Sequence, residues 1–268
     1  MIGWLLVSKV LVSISFVVGL SLVAERVSPR VAGILAGYPL GAAISLFFIG
    51  IENGREFAAQ GAVYTLGGLS ASLVFVYFYY RVSSKVRRWE LLASTLAAIV
   101  GFLVAAKVLI QIDLGLVKAC LVTIGCIFLF YYLFRKIPNV MVKEKVNFTL
   151  AVLAFRAIMA ALIILIVTGS AKWVGPNWAG VLSAFPVTLF PLLVLIHIAY
   201  GREQVHTIIK NFPLGLGALI VYVTTVRFTY PAIGVGLGTA WSFVAATLYL
   251  IIFSSLTSRA AKRKMAIR

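Results

Sequence analysis

The 268-residue chain is 62% hydrophobic and only 12% charged, with a mean hydropathy of +1.08. So little polar surface excludes a soluble globular protein of this length. The net charge of +17 would indicate a nucleic-acid partner in a soluble protein, but these cations lie in short segments between apolar stretches, where they report membrane topology. We therefore expect a polytopic membrane protein that binds no nucleic acid.

Apolar stretches long enough to cross a hydrocarbon core of roughly 30 Å as a helix occur nine times. They predict an all-α polytopic membrane protein of about nine transmembrane helices. The predicted spans are residues 2–23, 30–51, 60–80, 91–110, 114–134, 148–168, 177–199, 207–226 and 231–256. The first span lacks the cationic start of a cleaved signal peptide, so we expect it to remain in the membrane.

The Lys and Arg residues fall unequally on the two sides of the predicted spans. Of the 24, 17 lie on one side, five on the other and two within spans. Cytoplasmic loops carry the excess of Lys and Arg, so this count predicts a cell-membrane protein with its N-terminus outside and its C-terminus in the cytoplasm. The predicted cytoplasmic group is Arg26, Arg30, Arg81, Lys85, Arg87, Arg88, Arg135, Lys136, Lys143, Lys145, Arg202, Lys210, Arg259, Lys262, Arg263, Lys264 and Arg268.

A motif that contains an internal proline occurs twice. Residues 29–40 read PRVAGILAGYPL, and residues 176–187, 147 positions later, read PNWAGVLSAFPV. At the same offset and without a gap, Gly54-Arg55-Glu56 returns as Gly201-Arg202-Glu203. The shared offset predicts a duplicated unit built around a helix with a proline in its middle. We expect the two Gly-Arg-Glu segments to form polar turns between spans, with gating by salt bridges as the alternative.

The two copies are five predicted spans apart. Because five is odd, the second copy is predicted to cross the membrane upside down relative to the first. Inverted-topology repeats of this kind, related by a pseudo-two-fold axis in the membrane plane, are common among secondary transporters. The predicted organisation is a four-helix repeat at 1–110, a linker helix and cytoplasmic loop at 111–147, a second four-helix repeat at 148–257 and a basic cytoplasmic tail at 258–268.

The prolines within the two motifs, Pro39 and Pro186, each remove a helix hydrogen bond and predict a break inside a span. In inverted repeats, broken helices form the substrate site near the membrane midplane, where their ends present dipoles. At the same offset Lys9 aligns with Arg156, which predicts one intramembrane cation in each repeat. The predicted substrate-binding residues are Lys9, Tyr38, Pro39, Arg156, Phe185 and Pro186.

No acidic residue lies near the middle of a predicted span. The intramembrane cations therefore favour an anionic substrate over a proton relay or a cation site built on carboxylates. Structural alternatives stay open at each position. Lys9 and Arg156 could snorkel to the headgroups, the prolines could only kink their helices, and Tyr38 and Phe185 could simply pack.

Motifs for catalysis, a cofactor or a metal are missing from the sequence. It contains no His-Glu-x-x-His, no Gly-x-Ser-x-Gly and no intramembrane aspartate pair, so we predict that the protein is not an enzyme. Glu203 and His206 form half of a di-metal carboxylate pattern, but no second half lies on the same predicted side. Cys120 and Cys126 share one apolar run and are expected to be ordinary buried cysteines. We expect no catalytic residue, cofactor or metal site.

The segment WAGVLSAFPV at 178–187, followed by Leu195-Ile196-His197 and the second Gly-Arg-Glu turn, resembles the GlpM-like family of small four-span bacterial membrane proteins. The likeness is stronger in the second unit than in the first, and it departs at Val187, where the family pattern has a hydroxylated residue. The resemblance implies that a four-span unit can exist alone, so that this chain would be a fusion of two oppositely oriented units. It implies no substrate.

The sequence therefore favours a transporter that moves a small or lipid-linked anionic solute by alternating access, or a channel-like relative of it. The alternative is a non-transporting membrane scaffold or assembly factor, and a membrane enzyme is the weakest hypothesis. The expected partners are membrane lipid and the solute, with an oligomer left open. A transporter requires a water-accessible cavity at the depth of Pro39 and Pro186, whereas a scaffold requires these residues to be packed and dry.

Overall fold

The computed structural model describes residues 2–25, 38–140 and 149–266 of the chain. Residues 29–37 of the first motif, residues 141–148 of the predicted cytoplasmic loop and the last two residues of the tail lie outside this part. The helices of the described ranges are α1 (Ile2–Glu25), α2 (Leu40–Asn53), α3 (Arg55–Lys85), α4 (Glu90–Ile110), α5 (Leu116–Phe134), α6 (Leu150–Ser183), α7 (Leu189–Tyr200), α8 (Arg202–Ile233) and α9 (Val235–Ala266).

The protein is an all-helical membrane protein. Within the described ranges, six helices are long and apolar enough to cross a membrane, namely α3, α4, α5, α6, α8 and the Val235–Phe253 part of α9. Each of them overlaps one of the predicted spans, and α1 occupies the first predicted span. The predicted spans 30–51 and 177–199 are not single helices. α2 begins only after Pro39, and residues 184–188 separate α6 from α7.

A single glycine joins each of the two short helices to the long helix that follows it. Gly54, between α2 and α3, has a φ of 97°, and Gly201, between α7 and α8, has a φ of 83°. Glycine adopts this left-handed conformation readily because it has no Cβ. The Arg and Glu of each Gly-Arg-Glu segment begin the long helix. The segments therefore form turns between helices, as predicted.

The order of helices repeats at the offset of the motif. Adding 147 to the bounds of α2, Gly54 and α3 gives the bounds of α7, Gly201 and α8 to within two residues. α1 corresponds in the same way to the first part of α6, which has a non-helical residue at Gly175, with a φ of 79°. The short arm of α6, residues 176–183, then begins at Pro176, whose missing N–H suits a first helical turn.

α3 lies at the centre of the described helices. It is the most buried of the six long helices, and it packs against α2, α4, α5, α6 and α8. It crosses the short arm of α6 closely, because Thr65 Oγ1 donates to the carbonyl oxygen of Gly180 at 2.8 Å. A Cβ at Gly180 would overlap the carbonyl oxygen of Gly61. Small residues on both helices thus allow the two backbones to meet, as is usual between membrane helices.

Candidate functional site

The two helix breaks meet inside the protein. A Cβ at Gly41, in the first turn of α2, would lie 3.0 Å from the Cβ of Val187, just before α7. The N-termini of the two short helices therefore approach each other. Between them lies a cavity whose walls come from both breaks and from α3 and α8. We call it the central cavity.

The walls of the central cavity follow the sequence repeat. Several of its lining residues form pairs that are 147 positions apart, with one member in each unit. These pairs are Tyr38 and Phe185, Gly41 and Thr188, Leu69 and Leu216, and Ser72 and Leu219. α3 and α8 therefore present corresponding positions to the same space.

The central cavity is narrow in this conformation. The space open to the centre of a water molecule is about 20 Å³, enough for roughly one water. Ser72 donates a hydrogen bond to the carbonyl oxygen of Ala184, and Ser183 donates to Ala179 at 2.7 Å. The described lining side chains carry no charge. The facing helix N-termini, each equivalent to about half a positive charge, are therefore the main electrostatic feature of the cavity.

The predicted substrate-binding residues fall into two groups. Tyr38, Phe185 and Pro186 line the central cavity, and Pro39, next to Tyr38, is buried at the start of α2. Lys9 and Arg156 are buried elsewhere and are not among its lining residues. The structure thus brings the residues of the two breaks together and places the two cations outside the cavity.

Lys9 of α1 forms an ion pair with Glu52 at the end of α2. Its Nζ lies 2.8 Å from both carboxylate oxygens of Glu52 and 6.0 Å from the ring centre of Phe48. The side chain of Lys9 is 7% exposed and that of Glu52 is 25% exposed. Glu52 lies near the C-terminal end of α2, and the sequence does not predict its pairing with Lys9, because no local spacing connects residues that are 43 positions apart.

Arg156 lies on α6 and is only 1% exposed. The residue of the second unit that corresponds to Glu52 is Ala199, so the sequence does not repeat the acidic partner of Lys9. One and two turns further along α6, Ala160 and Ile164 pack in an apolar cluster with Phe48. This cluster fills the space between α2 and α6.

Aromatic rings close the central cavity on the side of α4. The ring of Phe185 meets those of Phe102, Phe75 and Phe190 edge to face, with centroids 5.0, 5.5 and 5.9 Å away. The repeat counterparts of Phe75, Phe102 and Phe185 are Tyr222, Tyr249 and Tyr38. Tyr38 and Tyr222 both pack on Phe243, at 6.0 and 5.0 Å. At each of these three positions one unit therefore holds a phenylalanine and the other a tyrosine, with Phe75 and Phe102 from the first unit and Phe185 from the second.

Beyond these phenylalanines, a polar cluster connects the ends of four helices. The Tyr79 hydroxyl lies 2.9 Å from Nδ1 of His197, and Nε2 of His197 lies 3.2 Å from Oε1 of Glu90. Oε2 of Glu90 lies 3.9 Å from Nη1 of Arg202. We call these residues, together with Ser83 and His206, the histidine cluster.

Ser83 extends the histidine cluster towards the second histidine. Its carbonyl oxygen accepts a hydrogen bond from Arg202 Nη1 at 3.2 Å, and its hydroxyl lies 2.7 Å from Nε2 of His206. The cluster thus holds both histidines of the chain. The sequence does not predict this cluster, because His197 corresponds to Gly50 and the Glu203–His206 pattern has no second half on the same predicted side. The available signal was the position of Tyr79, Glu90 and His197 at span ends on one predicted side.

No protein-family model, curated protein or solved structure matches this chain. The resemblance to the GlpM-like family therefore stays a prediction. The fold and the two sites above define the protein as a helical membrane protein with a duplicated helix order, and its function has to be inferred from its own geometry.

Proposed function

We propose that the protein is a membrane transporter built from two inverted repeats, which exposes the central cavity alternately to the two sides of the membrane. The observation that carries this proposal is the meeting of the start of α2 with the break between α6 and α7, at a cavity lined by repeat-equivalent residues. Inverted repeats support alternating access because either repeat can move against the other around a fixed site.

The orientation of the repeats rests on charge and on the number of helices between them. α5 lies between the two units and adds one crossing, which would reverse the second unit relative to the first. The division of loop cations into 17 and five favours the same inversion, with the N-terminus outside. The Tyr79 end of α3 would then lie on the cytoplasmic side, together with the histidine cluster.

The substrate class we propose is a small or lipid-linked anion. Its support is the approach of two helix N-termini at Gly41 and Val187, with no charged side chain among the described lining residues. Two positive helix ends repel each other, and an anion between them would remove that repulsion. Lys9 adds little net charge, because Glu52 neutralises it. A cavity with room for about one water fits an occluded conformation that must open to admit substrate.

Cysteine accessibility in membrane vesicles tests alternating access. Cys120 and Cys126 are replaced by Ala, and single cysteines are introduced at Tyr38, Ser72 and Phe185. Each is treated from either side with a membrane-impermeant thiol reagent. We expect labelling from both sides, because each position faces a cavity that opens in turn to each side. Leu121→Cys is the matched control, since its side chain is 66% exposed but faces hydrocarbon, and it should stay unlabelled.

Two anions then test the substrate class. Inorganic phosphate should slow the labelling of Tyr38→Cys if the site takes small anions, and dodecyl phosphate should do so if it takes lipid-linked ones. If the three cavity positions stay unreactive from both sides while exposed Glu56→Cys and Ser84→Cys react, alternating access fails. A non-transporting scaffold then becomes the better hypothesis.

A further inference from the structure

The hydrogen bonds of the histidine cluster determine where its protons are. A carboxylate can only accept, so Nε2 of His197 carries a proton and donates it to Glu90 at 3.2 Å. In the neutral ring Nδ1 is then an acceptor, and the Tyr79 hydroxyl donates to it at 2.9 Å. His197 can thus take one more proton, at Nδ1, beside a carboxylate that stabilises the charged ring.

The surroundings allow this proton to arrive from water. The side chain of His197 is 8% exposed, but that of Glu90 is 22% exposed and that of Arg202 is 32% exposed, so the cluster reaches the surface. The titratable and charged groups that face the His197 ring are Tyr79 of α3, Glu90 of α4, and Arg202 and His206 of α8.

We propose that His197 and Glu90 form a proton-binding site, and that the proton bound there controls the opening of the central cavity towards the cytoplasm. The proton-binding site depends on the cluster alone, and the control of opening rests on the proposed transport function. A proton from cytoplasmic water adds to Nδ1 of His197. The ring becomes a cation, paired with the Glu90 carboxylate, and no other bond is made or broken.

Protonation changes the contact between two helices. Once Nδ1 carries a proton it donates to the Tyr79 hydroxyl oxygen, so the hydrogen bond between α3 and α7 reverses its direction and becomes charge-assisted. The same helices line the central cavity at Ser72 and Thr188, about 10 Å and 14 Å away along the helix axes. α3 belongs to the first unit and α7 to the second, so strengthening this link opposes their separation on the cytoplasmic side.

The two histidines make the proton directly observable. Protein labelled with ¹⁵N-histidine and purified in detergent gives imidazole signals from only two residues, and His206→Gln assigns them. We expect the His197 ring to pass from the Nε2–H form to the doubly protonated form between about pH 8 and 5. Glu90→Gln removes the facing carboxylate, so the transition should move to lower pH. A His197 ring that stays singly protonated throughout this range overturns the proton-binding site.

Cysteine labelling tests the control of opening. Phe185→Cys, in the background without Cys120 and Cys126, is labelled from the cytoplasmic side at several pH values. Each rate is divided by that of Ser84→Cys, because thiol reactivity itself depends on pH. We expect the ratio to fall about fivefold or more from high to low pH. His197→Gln should abolish this fall, since the amide can keep both hydrogen bonds but cannot titrate. His206→Gln should retain it.

The ¹⁵N titration and the cysteine labelling test the two parts of the proposal separately. A fall in labelling at low pH that survives His197→Gln, or a titrating His197 with no change in labelling, overturns the control of opening. A cavity that stays unlabelled in every variant and at every pH overturns the proposed transport function and that control with it. The ¹⁵N titration still decides the proton-binding site in that case.

Discussion

At the scale of single residues, the ion pair between Lys9 and Glu52 makes an asymmetric prediction. Glu52→Met leaves an ammonium group that is only 7% exposed, and breaking a buried pair in this way costs about 3 kcal/mol or more. Lys9→Met should cost less, because the Glu52 carboxylate is 25% exposed and can be hydrated. The measurement is the free energy of unfolding in detergent, followed by far-UV circular dichroism.

The double variant Lys9→Met/Glu52→Met is the control for this pair. Two apolar residues of similar size replace the two charges, so the double variant should be more stable than Glu52→Met alone. Stability losses that simply add would show that the two side chains do not interact. A larger loss from Lys9→Met than from Glu52→Met would contradict the burial argument.

At the scale of helices, the crossing of α3 with the short arm of α6 depends on Gly180. Gly180→Ala would place a methyl group on the carbonyl group of Gly61. This carbonyl belongs to the backbone of α3 and cannot turn aside as a side chain could. Overpacking of this kind costs about 1–3 kcal/mol or more. The crossing also forms one wall of the central cavity, so the labelling of Phe185→Cys should change as well.

Gly169→Ala is the matched control for this substitution. Gly169 lies on the same helix, and a Cβ there would meet nothing within 4 Å. Alanine is the better helix former by roughly 1 kcal/mol, so Gly169→Ala should leave stability unchanged or raise it. Equal effects of the two substitutions on the thermal unfolding midpoint would rule out the close crossing.

The sequence predicted helices better than it predicted contacts between them. Apolar length located the long helices, and the proline motif located the breaks at Pro39 and Pro186, because hydrophobic run length and the missing proline N–H act locally. The Gly-Arg-Glu turns followed from the same repeat. Within the described residues, the predicted spans 30–51 and 177–199 differed, because residues 38–39 and 184–188 interrupt what apolar length predicts as one helix. The end of the predicted span 148–168 also differed, because α6 continues to Ser183.

The polar partners could not be predicted in this way. Glu52 and Glu90 lie at helix ends in the sequence, and their partners Lys9 and His197 are 43 and 107 residues away. No periodicity connects such distant positions, and the repeat gives no sign of these pairs because Glu52 corresponds to Ala199 and His197 to Gly50. The prediction against a proton relay or a carboxylate cation site considered span centres only. It left out helix ends that tertiary packing encloses.

At the scale of the whole molecule, the two units share a helix order but differ in polarity. The first unit supplies Phe75 and Phe102 where the second supplies Tyr222 and Tyr249, and the histidine cluster has no counterpart at Gly50, Ala59 and Leu237. If the two units had identical sequences, the cavity would open equally to the two sides of the membrane. We expect this chain to respond to pH only on the side of the histidine cluster, so pH changes on the opposite side should leave labelling of the cavity unchanged.

The inversion of the two units is the broadest prediction, and repeat-equivalent residues test it. Glu56 and Glu203 occupy the same position, two residues after the turn glycines Gly54 and Gly201, and both are exposed. In inverted repeats Glu56→Cys should react with an impermeant thiol reagent only from outside, and Glu203→Cys only from the cytoplasm. Ser84→Cys, near Arg202 at the end of α3, should share the side of Glu203→Cys. Labelling of Glu56→Cys and Glu203→Cys from the same side would make the repeats parallel, and the cavity could then no longer alternate by an exchange of equivalent halves.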